Sequence, residues 1–210
     1  MGFILSNIKR LFITLFLLLF SVGAASANQK ILVWGDSLSA AYGIPVEKGW
    51  VNLMRNKFNE RGKKVEINNG SISGETTQGG LTRLPKALKR VKPDVIILEL
   101  GANDGLRGIS PDVTKSNLDK MIKLSQKANA KVILLGMKIP PNYGVAYSQK
   151  FEQVFNDLAK QYKLPFIPFF LEKVIVDLTL LQEDELHPTT DAQPIILSSI
   201  LPTVIKLIAE

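Results

Sequence analysis

Two short segments carry the residue types that nucleophilic catalysis needs. Ser37 lies in Gly35-Asp36-Ser37-Leu38-Ser39, directly after the apolar run Ile31 to Trp34, and the single histidine, His187, lies in Asp184-Glu185-Leu186-His187-Pro188. A serine hydroxyl attacks a carbonyl only when a base takes its proton. A carboxylate three positions before a histidine can meet the ring across one turn. It then fixes the tautomer, stabilises the imidazolium and leaves the other ring nitrogen free for the serine. The oxyanion formed by such an attack needs donors already aimed at it. Gly74, in Asn69-Gly70-Ser71-Ile72-Ser73-Gly74-Glu75-Thr76, offers a backbone N–H that a substrate can approach closely, and Asn103, in Gly101-Ala102-Asn103-Asp104, offers a side-chain N–H. Taken singly, each segment also has a plainer reading. Gly35-Asp36-Ser37 ends a strand and caps a helix, Gly74 and Asn103 are turn residues, and His187 is an exposed loop histidine beside acidic neighbours.

Several other chemistries are disfavoured by what is missing. Gly35 lacks the partners of the G-x-G-x-x-G dinucleotide fingerprint, and no phosphate loop with a Gly-Lys-Ser/Thr ending occurs. Ser39 occupies the last glycine position of the nucleophile elbow G-x-S-x-G, which argues against an ordinary α/β-hydrolase. The chain has no cysteine and one histidine, so neither a thiol nucleophile, a disulfide nor a His/Cys metal site is expected. No metal and no cofactor are expected.

The elements that must position these groups alternate along the chain. Strand-length apolar runs recur at Ile31 to Trp34, Val65 to Asn68, Asp94 to Leu100, Lys131 to Met137 and Pro165 to Pro168. Amphipathic stretches at Trp50 to Glu60, Gln78 to Arg90, Asp112 to Ala128 and Ala146 to Tyr162 predict helices, as does Asp191 to Ile208, provided that Pro194 falls in the first turn. The alternation predicts an α/β fold, a three-layer α/β/α sandwich around a mainly parallel sheet. Ligands of such sheets bind beyond the carboxyl ends of the strands, where the segments at Ser37, Gly74 and Asn103 fall.

Residues 1–27 read as an export signal: Lys9 and Arg10 precede the apolar run Leu11 to Phe20, and small residues end in Ala25-Ser26-Ala27. Removing them leaves 183 of the 210 residues, expected to form one domain spanning 28–210. An uncleaved anchor is the alternative. The mature chain then holds 24 basic and 19 acidic residues, a net +5. The basic residues are scattered, so no nucleic-acid partner is expected, whereas transient contact with anionic membrane lipid is compatible with them. A periplasmic or secreted monomer is expected.

Together, in this order, the four segments resemble the SGNH (GDSL) hydrolases, whose name lists Ser, Gly, Asn and His: here Ser37, Gly74, Asn103 and His187. The resemblance spans essentially the whole mature chain and implies a flavodoxin-like, mainly parallel five-stranded sheet. Further segments, among them Gly80 to Pro85, Glu99 to Gly108, Pro140 to Gly144, Pro168 to Phe170 and Asp191 to Pro194, are similar to a branch of bacterial thioesterases, lysophospholipases and arylesterases. Ala102 departs from that pattern where a second glycine is frequent, and Glu185 where a small residue is frequent. The resemblance implies attack by Ser37 on an acyl ester or thioester, with His187 as base and Asp184 orienting it. It further implies an oxyanion hole made by the N–H groups of Ser37 and Gly74 and the Asn103 amide.

Substrate binding is less defined. The segments Asn103 to Pro111 and Ile139 to Tyr147 leave adjacent strands, and their apolar residues, Ile139 and Tyr143 among them, either line an acyl groove or pack the loops onto the body. The same four blocks would also serve an esterase that deacetylates carbohydrate, and a non-catalytic acyl or lipid binder is a third reading.

Overall fold

The computed structural model describes residues 28–209. The export segment at 1–27 lies outside them. Five strands form one sheet: β1 (Gln29–Gly35), β2 (Val65–Asn69), β3 (Val95–Glu99), β4 (Lys131–Leu135) and β5 (Phe166–Ile167). Their order is β2-β1-β3-β4-β5 and every pairing is parallel, with Val33 opposite Asn69 on one side and Ile97 on the other. Ile31 to Trp34, all of β3 and Val132 to Leu135 are buried, the near-continuous Val, Ile and Leu pattern of strands covered on both faces.

The described helices are α1 (Ser37–Ala40), α2 (Trp50–Glu60), α3 (Thr77–Val91), α4 (Ala102–Leu106), α5 (Pro111–Lys127), α6 (Val145–Tyr162) and α7 (Ala192–Ala209). The step from β1 to β2 runs one way along the sheet through α2, and the later steps run the other way through α3, α5 and α6. Right-handed crossovers of opposite direction lay their helices on opposite faces. Accordingly α2 packs with α7, whereas α3 packs with α5 and α5 with α6. The result is the three-layer sandwich, with one hydrophobic core running through it that includes Trp34, Trp50, Phe58, Phe151, Phe155 and Phe170. Because the chain leaves β1 and β3 in opposite directions, a crevice opens beyond the carboxyl ends of these adjacent strands.

Helix periodicity explains which faces are buried: Phe151, Val154, Phe155 and Leu158 of α6, and Ile196, Ile200, Val204 and Leu207 of α7, follow three- and four-residue spacing. Pro194 lies in the first turn of α7, as the sequence requires, but Pro202 lies within α7 and Pro85 within α3. Both are exposed, so the carbonyl each leaves without a helical donor has access to water. The short helix α4 falls in a segment that reads as a turn in the sequence, whereas α1 is the helix that Asp36 caps. From Pro168 to Asp191 the chain is mostly irregular, anchored by the buried Phe170, Leu171 and Val174.

Candidate active site

Ser37 is the first residue of α1, placed by the sharp exit of the chain from β1. The exit needs Gly35, because a Cβ there would collide with the carboxylate of Glu99 and come within 2.9 Å of Ser39 Oγ. Asp36 caps α1 by accepting the Leu38 N–H at 3.1 Å. Ser37 is 8% exposed, and its hydroxyl lies 2.9 Å from His187 Nε2. On the other side of the ring, His187 Nδ1 lies 2.5 Å from Asp184 Oδ2. Asp184 Oδ1 accepts the backbone N–H groups of Leu186 (3.0 Å) and His187 (2.9 Å). Burial raises the energy of the Asp184 carboxylate, but the hydrogen bonds from the His187 backbone and ring and from Leu186 outweigh it and hold the carboxyl at about 2. The three residues therefore form one chain of hydrogen bonds from serine through imidazole to an ionised carboxylate.

The arm that carries His187 is held from behind. Leu181 and Pro188 form an antiparallel bridge, the Gln182 N–H donates to His187 O at 2.7 Å, and Thr189 N–H donates to Leu180 O at 2.8 Å. The Gln182 side-chain amide donates to the carbonyls of Tyr42 (2.9 Å) and Pro188 (3.0 Å). The Tyr42 ring rests 4.5 Å from the imidazole, centroid to centroid. Glu185 adopts φ +56°, the left-handed region where a residue without Cβ is at ease.

Gly74 lies in the loop after β2 with φ +77°. A Cβ there would approach only the Arg107 guanidinium, at 3.7 Å, so the backbone conformation rather than space requires glycine. Arg83 braces the loop by pairing with Glu75 at 2.5 Å, donating to Gly70 O and lying 4.1 Å over the Trp34 ring. Asn103 sits on α4. Its Nδ2 donates to Asp36 Oδ2 at 3.1 Å and to Glu75 O at 3.0 Å, which ties the loops after β1, β2 and β3 together. Among the described residues, no acceptor takes the N–H of Ser37 or Gly74. Ile139 is 8% exposed, and a Cβ at Gly105 would strike it, so it packs its loop onto the body. Tyr143 is 39% exposed and donates to Leu106 O at 3.0 Å.

Three buried carboxyl groups under the site are not singled out by the sequence. Glu99 Oε2 accepts the Asp36 N–H at 3.2 Å and the Ser39 hydroxyl at 2.6 Å, while Oε1 has no partner. Burial, then the neighbouring Asp36 charge, pushes Glu99 well above the usual carboxyl range. Burial likewise pushes Asp36 up to about 7, helped by Asp104 and Glu75 and resisted by the Leu38 N–H and the Asn103 amide. Asp104 accepts the Thr77 N–H at 2.8 Å, the Thr77 hydroxyl and the Thr114 hydroxyl, pinning α4 to the start of α3. The available signal was position: acidic residues at the ends of apolar strands are buried. Among the described residues no three His, Cys, Asp or Glu side chains are grouped to hold a metal.

Comparison with known proteins follows the same lines. The model of the GDSL-like lipase/acylhydrolase family matches residues 33–193. An arylesterase of Vibrio mimicus is 46% identical over 190 residues, 90% of this chain and 95% of its own length. The thioesterase 1/protease 1/lysophospholipase L1 of Escherichia coli K12 is 41% identical over 182 residues, 87% of this chain and 86% of its own. Among solved structures, the psychrotrophic esterase EstA of Pseudoalteromonas sp., inhibited by monoethylphosphonate, superposes with a TM-score of 0.83 at 39% identity, covering 87% of this chain and all of that one.

Proposed function

The chain belongs to the GDSL-like lipase/acylhydrolase family, and from that premise we propose that it hydrolyses carboxylic esters and thioesters of acyl substrates through an acyl-enzyme on Ser37. The observation that carries the assignment is the continuous hydrogen-bonded path from Ser37 Oγ through His187 to Asp184. His187 Nε2 takes the serine proton as Oγ attacks the acyl carbonyl. Asp184 fixes the tautomer with the Nδ1 proton facing it and stabilises the imidazolium. The oxyanion is met by the N–H groups of Ser37 and Gly74 and the Asn103 amide. The imidazolium then gives its proton to the leaving alkoxide or thiolate, and water repeats the cycle from the other side.

Relatives named arylesterase and thioesterase/lysophospholipase support small aryl esters, acyl thioesters and lysophospholipids as the substrate range. Two tyrosine hydroxyls join the loops proposed as one wall of the acyl site: Tyr143 donates to Leu106 O and Tyr147 to Ile109 O. Tyr143 is the exposed member and Ile139 the buried one. All of these groups come from one chain, in keeping with action as a monomer. Residues 1–27 support export to the periplasm or medium as a single domain from residue 28, and the scattered basic residues suit transient contact with membrane lipid.

The test is hydrolysis of p-nitrophenyl esters from acetyl to palmitoyl and of the matching acyl-CoA thioesters, with Ser37→Ala alongside. Ser37→Ala is expected to lower kcat by about 10⁴-fold or more. Serine-independent turnover at the parent rate would remove the assignment, and activity confined to acetyl esters would favour a carbohydrate deacetylase.

A further inference from the structure

We propose that Asp36 is a positioning residue for the reaction: its buried side chain fixes which way the Asn103 amide faces and so keeps one of that amide's N–H groups available to the oxyanion. The inference rests on Asn103 being an oxyanion donor. An amide keeps almost the same shape when turned by 180°, but the turned form would present oxygen where the N–H₂ now stands. The two partners of Asn103 Nδ2 are both acceptors, Asp36 Oδ2 at 3.1 Å and Glu75 O at 3.0 Å, so the turned form would set oxygen against oxygen on both sides.

The two acceptors are not equivalent. Above about pH 7, where Asp36 is ionised, its carboxylate holds an N–H about twice as strongly as a carbonyl does. When a charged oxyanion competes, the N–H facing Glu75 O is therefore the one released, and Glu75 follows Gly74, the other proposed donor of that loop. Asp36 itself cannot swing away. It is wholly buried, its Oδ1 holds the Leu38 N–H, and its own N–H is held by Glu99. A carboxylate behind the amide also repels the oxyanion, a cost offset by the imidazolium that forms at the same step on His187.

The experiment is a double-mutant cycle on one p-nitrophenyl ester, at a pH above about 7 so that Asp36 is ionised: wild type, Asp36→Asn, Asn103→Ala and the double variant, each with kcat and KM. Asparagine at position 36 keeps an acceptor for the Leu38 N–H, since Asn caps as well as Asp, but confronts Asn103 with an amide in place of a carboxylate. Asn103→Ala is expected to lower kcat about 10²- to 10³-fold. Asp36→Asn should lower kcat about tenfold or more with KM within about twofold, and should cost nothing further in the Asn103→Ala background. An unimpaired Asn103→Ala enzyme would sink the oxyanion reading itself. A costly Asn103→Ala with an Asp36→Asn penalty equal in both backgrounds would overturn only the inference, leaving Asp36 a structural residue. If Asp36→Asn does not fold, the wild-type protein answers through its Asn103 side-chain resonances. One Nδ2 proton shifted downfield and slow to exchange supports the inference, and two fast-exchanging, near-equivalent protons overturn it.

Discussion

Ser37, Gly74 and Asn103 sit on turns that leave β1, β2 and β3 within a web of buried polar groups, whereas Asp184 and His187 sit on a surface arm well beyond the last strand. In the first region, precision comes from bonds that join distant parts of the chain: Asn103 to Asp36, Thr77 to Asp104, Ser39 to Glu99. In the second it is local. Asp184 holds the backbone of Leu186 and His187 and the ring of His187, all within three residues. The two regions meet through the Ser37–His187 hydrogen bond, with the Tyr42 ring beside it, and through the Gln182 amide on Tyr42 O. The groups proposed as nucleophile and oxyanion donors are thus fixed by the fold, and the proposed base by a small arm whose Asp184–His187 geometry is local.

The largest expected effect tests that local geometry. Asp184→Asn keeps the size of the side chain but removes the carboxylate, and kcat should fall by about 10⁴-fold. The fold should survive, because the arm contributes little to the core. The carboxyl of Asp184 lies at about 2 when folded, below its unfolded value near 4, so its contribution to stability is present above about pH 4 and is lost as the pH falls toward 2. Melting curves of wild type and Asp184→Asn should therefore differ by a constant amount above about pH 5 and converge in acid. A gap that persists to pH 2 would show that Asp184 acts through something other than its charge.

A pair of smaller changes separates the two regions. Gln182→Ala removes the side-chain bonds to Tyr42 O and Pro188 O, letting the arm shift relative to Ser37. It should lower kcat by about tenfold while Tm stays nearly constant, since misplacement of a reacting group costs rate rather than stability. Thr77→Val, by contrast, leaves Asp104 and the Asn117 amide short of a buried partner. That costs about 1–3 kcal/mol, or roughly 2–10 °C in Tm for a chain of this size. Should Gln182→Ala lower Tm as much as Thr77→Val, the arm belongs to the cooperative core and the contrast fails.

The same contrast governs what was legible in the sequence. The strands and long helices could be read because Val95 to Leu98 or Phe151 to Leu158 carry their burial in their periodicity. Ser37 and His187 stood out by residue type, and Asp184 by its spacing from the histidine. The helices α1 and α4 are too short for periodicity to show. The roles of Tyr42 and Gln182 depend on an encounter across 140 residues that no local pattern records. At Gly74 the sequence shows a small residue but not its φ of +77°, which excludes a side chain where only the Arg107 guanidinium stands near. The buried carboxyl groups look in the sequence like ordinary strand-end acids, and only the fold shows Glu99 covered on every side.

Glu99 supplies the last and smallest test of the buried region. Its unfolded carboxyl ionises in the usual carboxyl range, while burial raises the folded carboxyl well above that range. Between those two ranges the folded state binds more protons than the unfolded one, so stability falls as pH rises. Asp36, also raised, adds to the slope in the same direction until its own proton leaves near 7. Carboxyls held low, such as Asp184, contribute no slope here because they are ionised in both states. Glu99→Gln removes one titrating group, and above about pH 5 its Tm should decline with pH less steeply than that of the wild type. Equal slopes would mean that Glu99 is ionised in the folded protein. Its Oε1, which has no partner among the described residues, would then be an uncompensated charge beneath the nucleophile rather than half of a neutral acid.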